Sequence, residues 1–191
     1  MRHHWFAAVF ALMSLAGSSV QLSSPVLAQT SGSQGTQDTT KVVDLEAQVQ
    51  GEILGLLARG RELTKQRRPK LAIQTYQRAV GLADVLGYQR MSAAAHLGLG
   101  RNFNVVGERK LAETHFRAAI PHLNAINDHS AIADTLFGLG SLKQQEGNVL
   151  AATSYYQQAL EAYESMADSD GIRATQQKLT GLEPTSRDSK N

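Results

Sequence analysis

Apolar residues step by three and four along most of this chain, and the pattern returns in register every 40 residues. Ala72, Tyr76, Ala79, Val80, Ala83 and Leu86 form one stripe. Ala112, Phe116, Ala119, Ile120, Leu123 and Ile126 form a second, and Ala152, Tyr156, Ala159, Leu160, Tyr163 and Met166 a third. Such spacing marks an amphipathic helix with one buried side; a strand would alternate. Ahead of each stripe lies another helical stretch. These carry Ile53, Leu56, Gly60 and Leu63, then Ala93, His96, Gly100 and Phe103, then Ala133, Leu136, Gly140 and Lys143. Pro69, Gly107 and Gly147 separate the halves, as residues that stop or start helices.

The pattern predicts six helices, at about 44–66, 70–86, 90–106, 109–126, 130–146 and 149–167. Val42, Leu45 and Val49 carry the first stripe backwards, although Gly51 and Gly55 weaken it by about 1 kcal/mol each relative to Ala. A seventh helix, at about 171–181, keeps Ile172 and Leu179 on one side and turns Arg173, Gln177 and Lys178 outward. It reads as the polar cap that a stack needs where no further repeat follows. Pro121 removes a backbone hydrogen bond inside the fourth helix and predicts a kink.

Small and aromatic residues share columns: Gly60, Gly100 and Gly140; Ala72, Ala112 and Ala152; Tyr76, Phe116 and Tyr156; Ala79, Ala119 and Ala159. Close helix crossings need small side chains and the pockets beside them need rings. A fixed period of this length is the signature of a solenoid. The expected fold is therefore all-α, three helix-turn-helix repeats and a C-terminal capping helix within residues 41–182.

Residues 1–28 have the layout of a secretory signal. Arg2, His3 and His4 precede an apolar run from Trp5 to Gly17, and Val26-Leu27-Ala28 supplies a small-residue cleavage site. That run is shorter than the roughly 20 residues of a membrane span. Export is expected, to a periplasm, a lumen or the medium, with no stable membrane span after cleavage. Gln29 to Thr40 is a polar stretch with only Asp38 charged, expected to be a disordered tether, and 183–191 a similar tail. There is no cysteine, so stability must come from packing.

Removing residues 1–28 removes one base, Arg2, and no acid, leaving 18 basic and 17 acidic side chains. That near-balance, with no broad basic face, argues against nucleic acid. Charge is nonetheless concentrated locally: Arg59, Arg61, Lys65, Arg67, Arg68 and Lys70 face only Glu62. An acidic segment of a partner is one expected complement of this Arg59–Lys70 patch; cations at a helix C-terminus are the plainer account.

The columns resemble the tetratricopeptide repeat. Leu99-Gly100 with Phe103, and Leu139-Gly140, match the first helix of that motif, and Ala72/Tyr76, Ala112/Phe116 and Ala152/Tyr156 match the second. The opening large residue is Leu56, His96 or Leu136, never Trp; Arg59 stands where Leu is usual and Lys143 where an aromatic is usual. The 40-residue period is similar to the long-helix variety of kinesin light chains. The resemblance implies a right-handed α-solenoid whose first helices line a concave groove for segments of other proteins. Carried over, that groove holds Leu57, Arg61 and Lys65, then Leu97, Arg101 and Asn104, then Phe137, Gln144 and Gln145. Gly98 and Gly138 replace an asparagine often present in long-repeat adaptors, which removes one backbone clamp.

Catalytic and cofactor chemistry find no pattern. Gly98-Leu99-Gly100 is followed by Phe103 where a dinucleotide fingerprint needs Gly, and no P-loop occurs. His115, His122 and His129 are seven apart, with His96 on the preceding helix. Two residues seven apart on a helix are separated by about 10.5 Å of rise, too far to share one metal without a further ligand. No metal site, cofactor or enzyme activity is expected. The expected function is an exported protein-binding adaptor that helps assemble an extracytoplasmic complex; a self-associating scaffold and an accessory subunit of an envelope enzyme are the alternatives.

Overall fold

The structure, a computed structural model, describes residues 34–182, with side chains from Asp44 onward. The expected leader at 1–28, the opening of the expected tether and the tail at 183–191 lie outside the described residues. Among the described residues there are seven helices and no strand: α1 Gln34–Lys65, α2 Pro69–Leu86, α3 Gln89–Val105, α4 Arg109–Ala125, α5 His129–Gln145, α6 Val149–Ser165 and α7 Ser169–Thr180. From α2 onward each helix packs on the next in the chain, the order of an α-solenoid.

Helices α2 to α7 begin and end within two residues of the sequence expectation. The first does not: α1 starts at Gln34 rather than near residue 44 and takes in the last part of the expected tether. Between Gly35 and Gly51 no glycine or proline intervenes. Extending an existing helix adds a hydrogen bond for each residue fixed, so the stripe at Val49 and Ile53 propagates backwards. Helix α4 runs through Pro121 to Ala125.

One backbone device closes all six turns. Arg67, Gly87, Gly107, Asn127, Gly147 and Ala167 hold left-handed φ between 53° and 85°. The N–H of the following residue then reaches the carbonyl five positions back, as in Arg68 to Leu63 (2.9 Å) and Asp168 to Tyr163 (3.0 Å). The last three helices are also capped by side chains, with Asp128, Asn148 and Asp168 accepting from the N–H of Ala131, Ala151 and Gly171 at 3.1 Å.

The small and aromatic columns meet inside each pair. A Cβ built on Gly60, Gly100 or Gly140 would lie 2.7 Å from a ring carbon of Tyr76, Phe116 or Tyr156. Absence of a side chain on the first helix is what lets the ring of the second lie flat against its backbone. The alanines at 72, 79, 112, 119, 152 and 159 are fully buried and allow the same close approach.

Lys143 shows how the third pair accommodates a charge where its predecessors have Leu63 and Phe103. Its ammonium donates to Glu113 of α4 at 2.6 Å and to Glu146 at 3.0 Å, while its stem is almost fully covered. The pairing holds the Lys143 ammonium above its usual range and the Glu113 carboxyl below its own.

Candidate functional site: the cleft between the first helices

Helices α3 and α5 are the first members of neighbouring pairs, and a cleft of about 430 Å³ opens between them. Leu97, Arg101, Asn104 and Val105 line it from α3, and Asp134, Thr135, Phe137, Gly138 and Ser141 from α5, with Phe116 of α4 at the base. Helical spacing places 97, 101, 104 and 105 on one face, and 134, 137, 138 and 141 on the facing one. The cleft thus combines an apolar floor with a cation, an anion and amide and hydroxyl groups at its sides.

Several of these groups are already engaged. Asp134 accepts from the Tyr163 hydroxyl at 2.6 Å, which together with burial raises the tyrosine's pKa. The Tyr156 hydroxyl lies 3.0 Å from Ser141 Oγ and donates to Gln144 Oε1 at 2.9 Å, and the Phe137 ring stands tilted against the Tyr156 ring at 5.4 Å. Asn104 differs: its buried Oδ1 has no hydrogen-bond donor.

Of the nine residues expected in the groove, Leu97, Arg101, Asn104 and Phe137 come together in this cleft. Arg61, Lys65 and Gln145 are exposed and Gln144 is half-buried, none of them lining it. Leu57 belongs elsewhere. It is 3% exposed and packs in the core cluster to which Leu97 also contributes, so the apolar strip turns inward at its N-terminal end. Gly98 is also a core position: its missing side chain makes room for the Tyr76 ring.

The basic patch divides. Arg59 and Arg68, joined by Arg78, border a second cleft of about 610 Å³ on the outer side of α1 and α2, floored by Leu56, Leu63 and Leu71. Glu52 pairs with Arg78 there at 3.5 Å. The corresponding positions in the second pair, such as Ala95, Leu99 and Phe103, are buried. A third grouping escaped the spacing argument on histidine. His96 and His115 approach to 3.0 Å between ring nitrogens, and His122 stacks on His96 with ring centroids 5.7 Å apart. Neighbouring helices supply what a single helix cannot.

No helix among the described residues is long and apolar enough to cross a membrane. No curated protein shows significant similarity to the chain. Residues 91–165, spanning α3 to α6, match the family model described as Tetratricopeptide repeat. Among solved structures, the TPR domain of Arabidopsis FLU is similar in fold, with a TM-score of 0.58 at 18% identity, over 61% of this chain and 98% of that one. The helix order, the glycine–ring contacts repeated every 40 residues and the family match to the middle pairs converge: residues 91–165 carry tetratricopeptide repeats, within a fold similar to that of a TPR domain.

Proposed function

We propose that the chain is an exported adaptor that holds a segment of another protein in the α3–α5 cleft and so helps to assemble an extracytoplasmic complex. The cleft carries this reading. Leu97 and Phe137 provide apolar anchors, Arg101 a forked cation for a carboxylate or carbonyl, and Asn104 a side-chain amide whose unpaired oxygen can turn to a guest's N–H. Repeat proteins of this fold act generally as protein-binding scaffolds, and no grouping of nucleophile, base and orienting residue in the cleft suggests catalysis. Export rests on the pattern of residues 1–28.

The test is capture by the immobilised chain from the extracytoplasmic fraction, with bound proteins identified by mass spectrometry. Arg101→Glu combined with Phe137→Ala should abolish capture of the specific partner while the helical circular-dichroism signal stays intact. Full capture by that variant would remove the cleft from consideration. A processed N-terminus at Gln29 in the exported form would support the leader; a protein retained inside the cell would refute export.

The outer cleft of α1 and α2 favours a second reading, self-association through the unstacked flank of the first pair. Mass in solution separates the two, since a concentration-dependent oligomer disrupted by Leu71→Glu would support stacking between copies.

A further inference from the structure

Away from the α3–α5 cleft, polar side chains gather where α2, α3 and α4 meet. His96 Nε2 lies 3.4 Å from Asp84 Oδ2, and His122 Nε2 lies 3.8 Å from Asp84 Oδ1. These donor atoms of α2, α3 and α4 all fall within 4.8 Å of one another. The repeat supplies its own control. Leu56 and Leu136 occupy the position of His96 in the other pairs, Leu82 and Ala162 that of His122, and Thr75 and Tyr155 that of His115. Two of the three pairs thus pack without histidine at these positions. The second pair instead buries the His96 imidazole and half-buries those of His115 and His122, which costs stability unless something pairs with them.

Outer hydrogen bonds orient the rings. Gln89 presents Oε1 to His122 Nδ1 at 2.6 Å; an amide oxygen only accepts, so Nδ1 carries the proton and Nε2 turns a lone pair toward Asp84. His96 Nδ1 lies 3.0 Å from His115 Nδ1, and His115 is held flat against the Phe103 ring. Where His96 donates there, its Nε2 offers a lone pair to Asp84; where His115 donates, His96 Nε2–H donates to the Asp84 carboxylate instead. In the first tautomer two imidazole lone pairs and a carboxylate converge, the donor set that a cation takes up.

We propose that Asp84, His96 and His122 bind one divalent first-row transition ion of the zinc class, with Gln89 and His115 as positioning residues. Zinc bonds of about 2.0–2.1 Å imply separations of about 3.3–3.4 Å between tetrahedral ligands. One edge of the observed triangle already has that length and a second needs a small rotation of the half-exposed Asp84. Two imidazoles and one carboxylate suit Zn²⁺ and its neighbours rather than Ca²⁺ or Mg²⁺, and three protein ligands leave a fourth position for water. The ion would clamp α2 of the first pair to the α3–α4 hairpin of the second.

Zinc chloride titrated calorimetrically into the full chain should bind at one ion per chain, and Co²⁺ in its place should give the intense visible bands of tetrahedral coordination. Ca²⁺ and Mg²⁺ should give no heat. Asp84→Asn and His122→Ala alter partly exposed side chains and should each weaken zinc by at least about 100-fold, and Gln89→Leu by about 10- to 100-fold as loss of an outer-shell partner. His3→Ala with His4→Ala should leave the affinity unchanged. Absence of one-to-one binding, or full affinity in both folded Asp84→Asn and His122→Ala, overturns the site.

Discussion

The ring of Tyr76 fills the space in which Gly98 would carry a side chain: a Cβ there would lie 2.5 Å from Cζ. The ring cannot step aside, because a Cβ on Gly60 of α1 would come within 2.7 Å of the same ring. Gly98→Ala should therefore cost about 1–3 kcal/mol through overpacking. Gly138, its counterpart 40 residues on, is different, since a Cβ there meets the Phe116 ring only at 3.5 Å. Gly138→Ala should be neutral or stabilise by up to about 1 kcal/mol through helix propensity. Urea unfolding of the two variants checks the contrast, and equal effects would contradict the packing.

The turns make a second prediction. Ala167 holds φ of 55° at the position where Gly87 holds 70°. An L-residue with a Cβ pays about 1–2 kcal/mol for that conformation, and glycine avoids it at some entropic cost. Ala167→Gly should stabilise by about 0.5–1 kcal/mol and Gly87→Ala should destabilise by a similar amount. Thermal midpoints should move in opposite directions.

Lys143 and Glu113 set a pH window. Glu113's carboxyl, held down chiefly by its hydrogen bond to Lys143, contributes stability that is present above its ordinary value of 4.5 and is lost as pH falls through its lower folded value. The ammonium, held up chiefly by Glu113, contributes below its ordinary 10.5 and loses that contribution as pH rises through its higher folded value. Glu113→Gln should cost about 1–3 kcal/mol at neutral pH and flatten the acid limb of the stability profile. In a double-mutant cycle with Lys143→Met the pair should show coupling of about 0.5–3 kcal/mol. Additive effects would mean that the contact contributes little.

Most of the helical frame was legible because the same turn residues return every 40 positions and each turn needs the same backbone geometry. The start of α1 was not, since Ser33 is one of several capping-type residues in a stretch of Ser, Thr and Gly, and polar residues carry little stripe. Leu57 shows a similar limit: the register aligns it with Leu97 and Phe137, but only contacts between helices place it in the core. The histidine cluster was hidden by its origin on three helices. Spacing along α4 describes His115 and His122 alone, whereas His96 and Asp84 arrive through the fold. Lys143 departs from the motif at the position of Leu63 and Phe103, and only its partners on α4 and at the following turn account for a charge there.

The last prediction joins stability to binding. Across α1 and α3, the buried Asn102 donates to Thr64 Oγ1 at 2.9 Å and to the Gly98 carbonyl at 2.8 Å. Forty residues on, the same two positions are Asn104 and Leu142. Leu142 is fully buried and has no group to donate, and Asn104 Oδ1 is left without a donor beside the α3–α5 cleft. An unpaired buried acceptor costs about 1–3 kcal/mol, a cost that a site can retain where the side chain turns to meet a guest's N–H on binding. Asn104→Leu should thus raise stability by about 1 kcal/mol, within that range, while weakening capture of the partner about 10-fold. Unfolding and binding measured on the same preparation decide it: a variant that loses stability and keeps full capture would make Asn104 a structural residue.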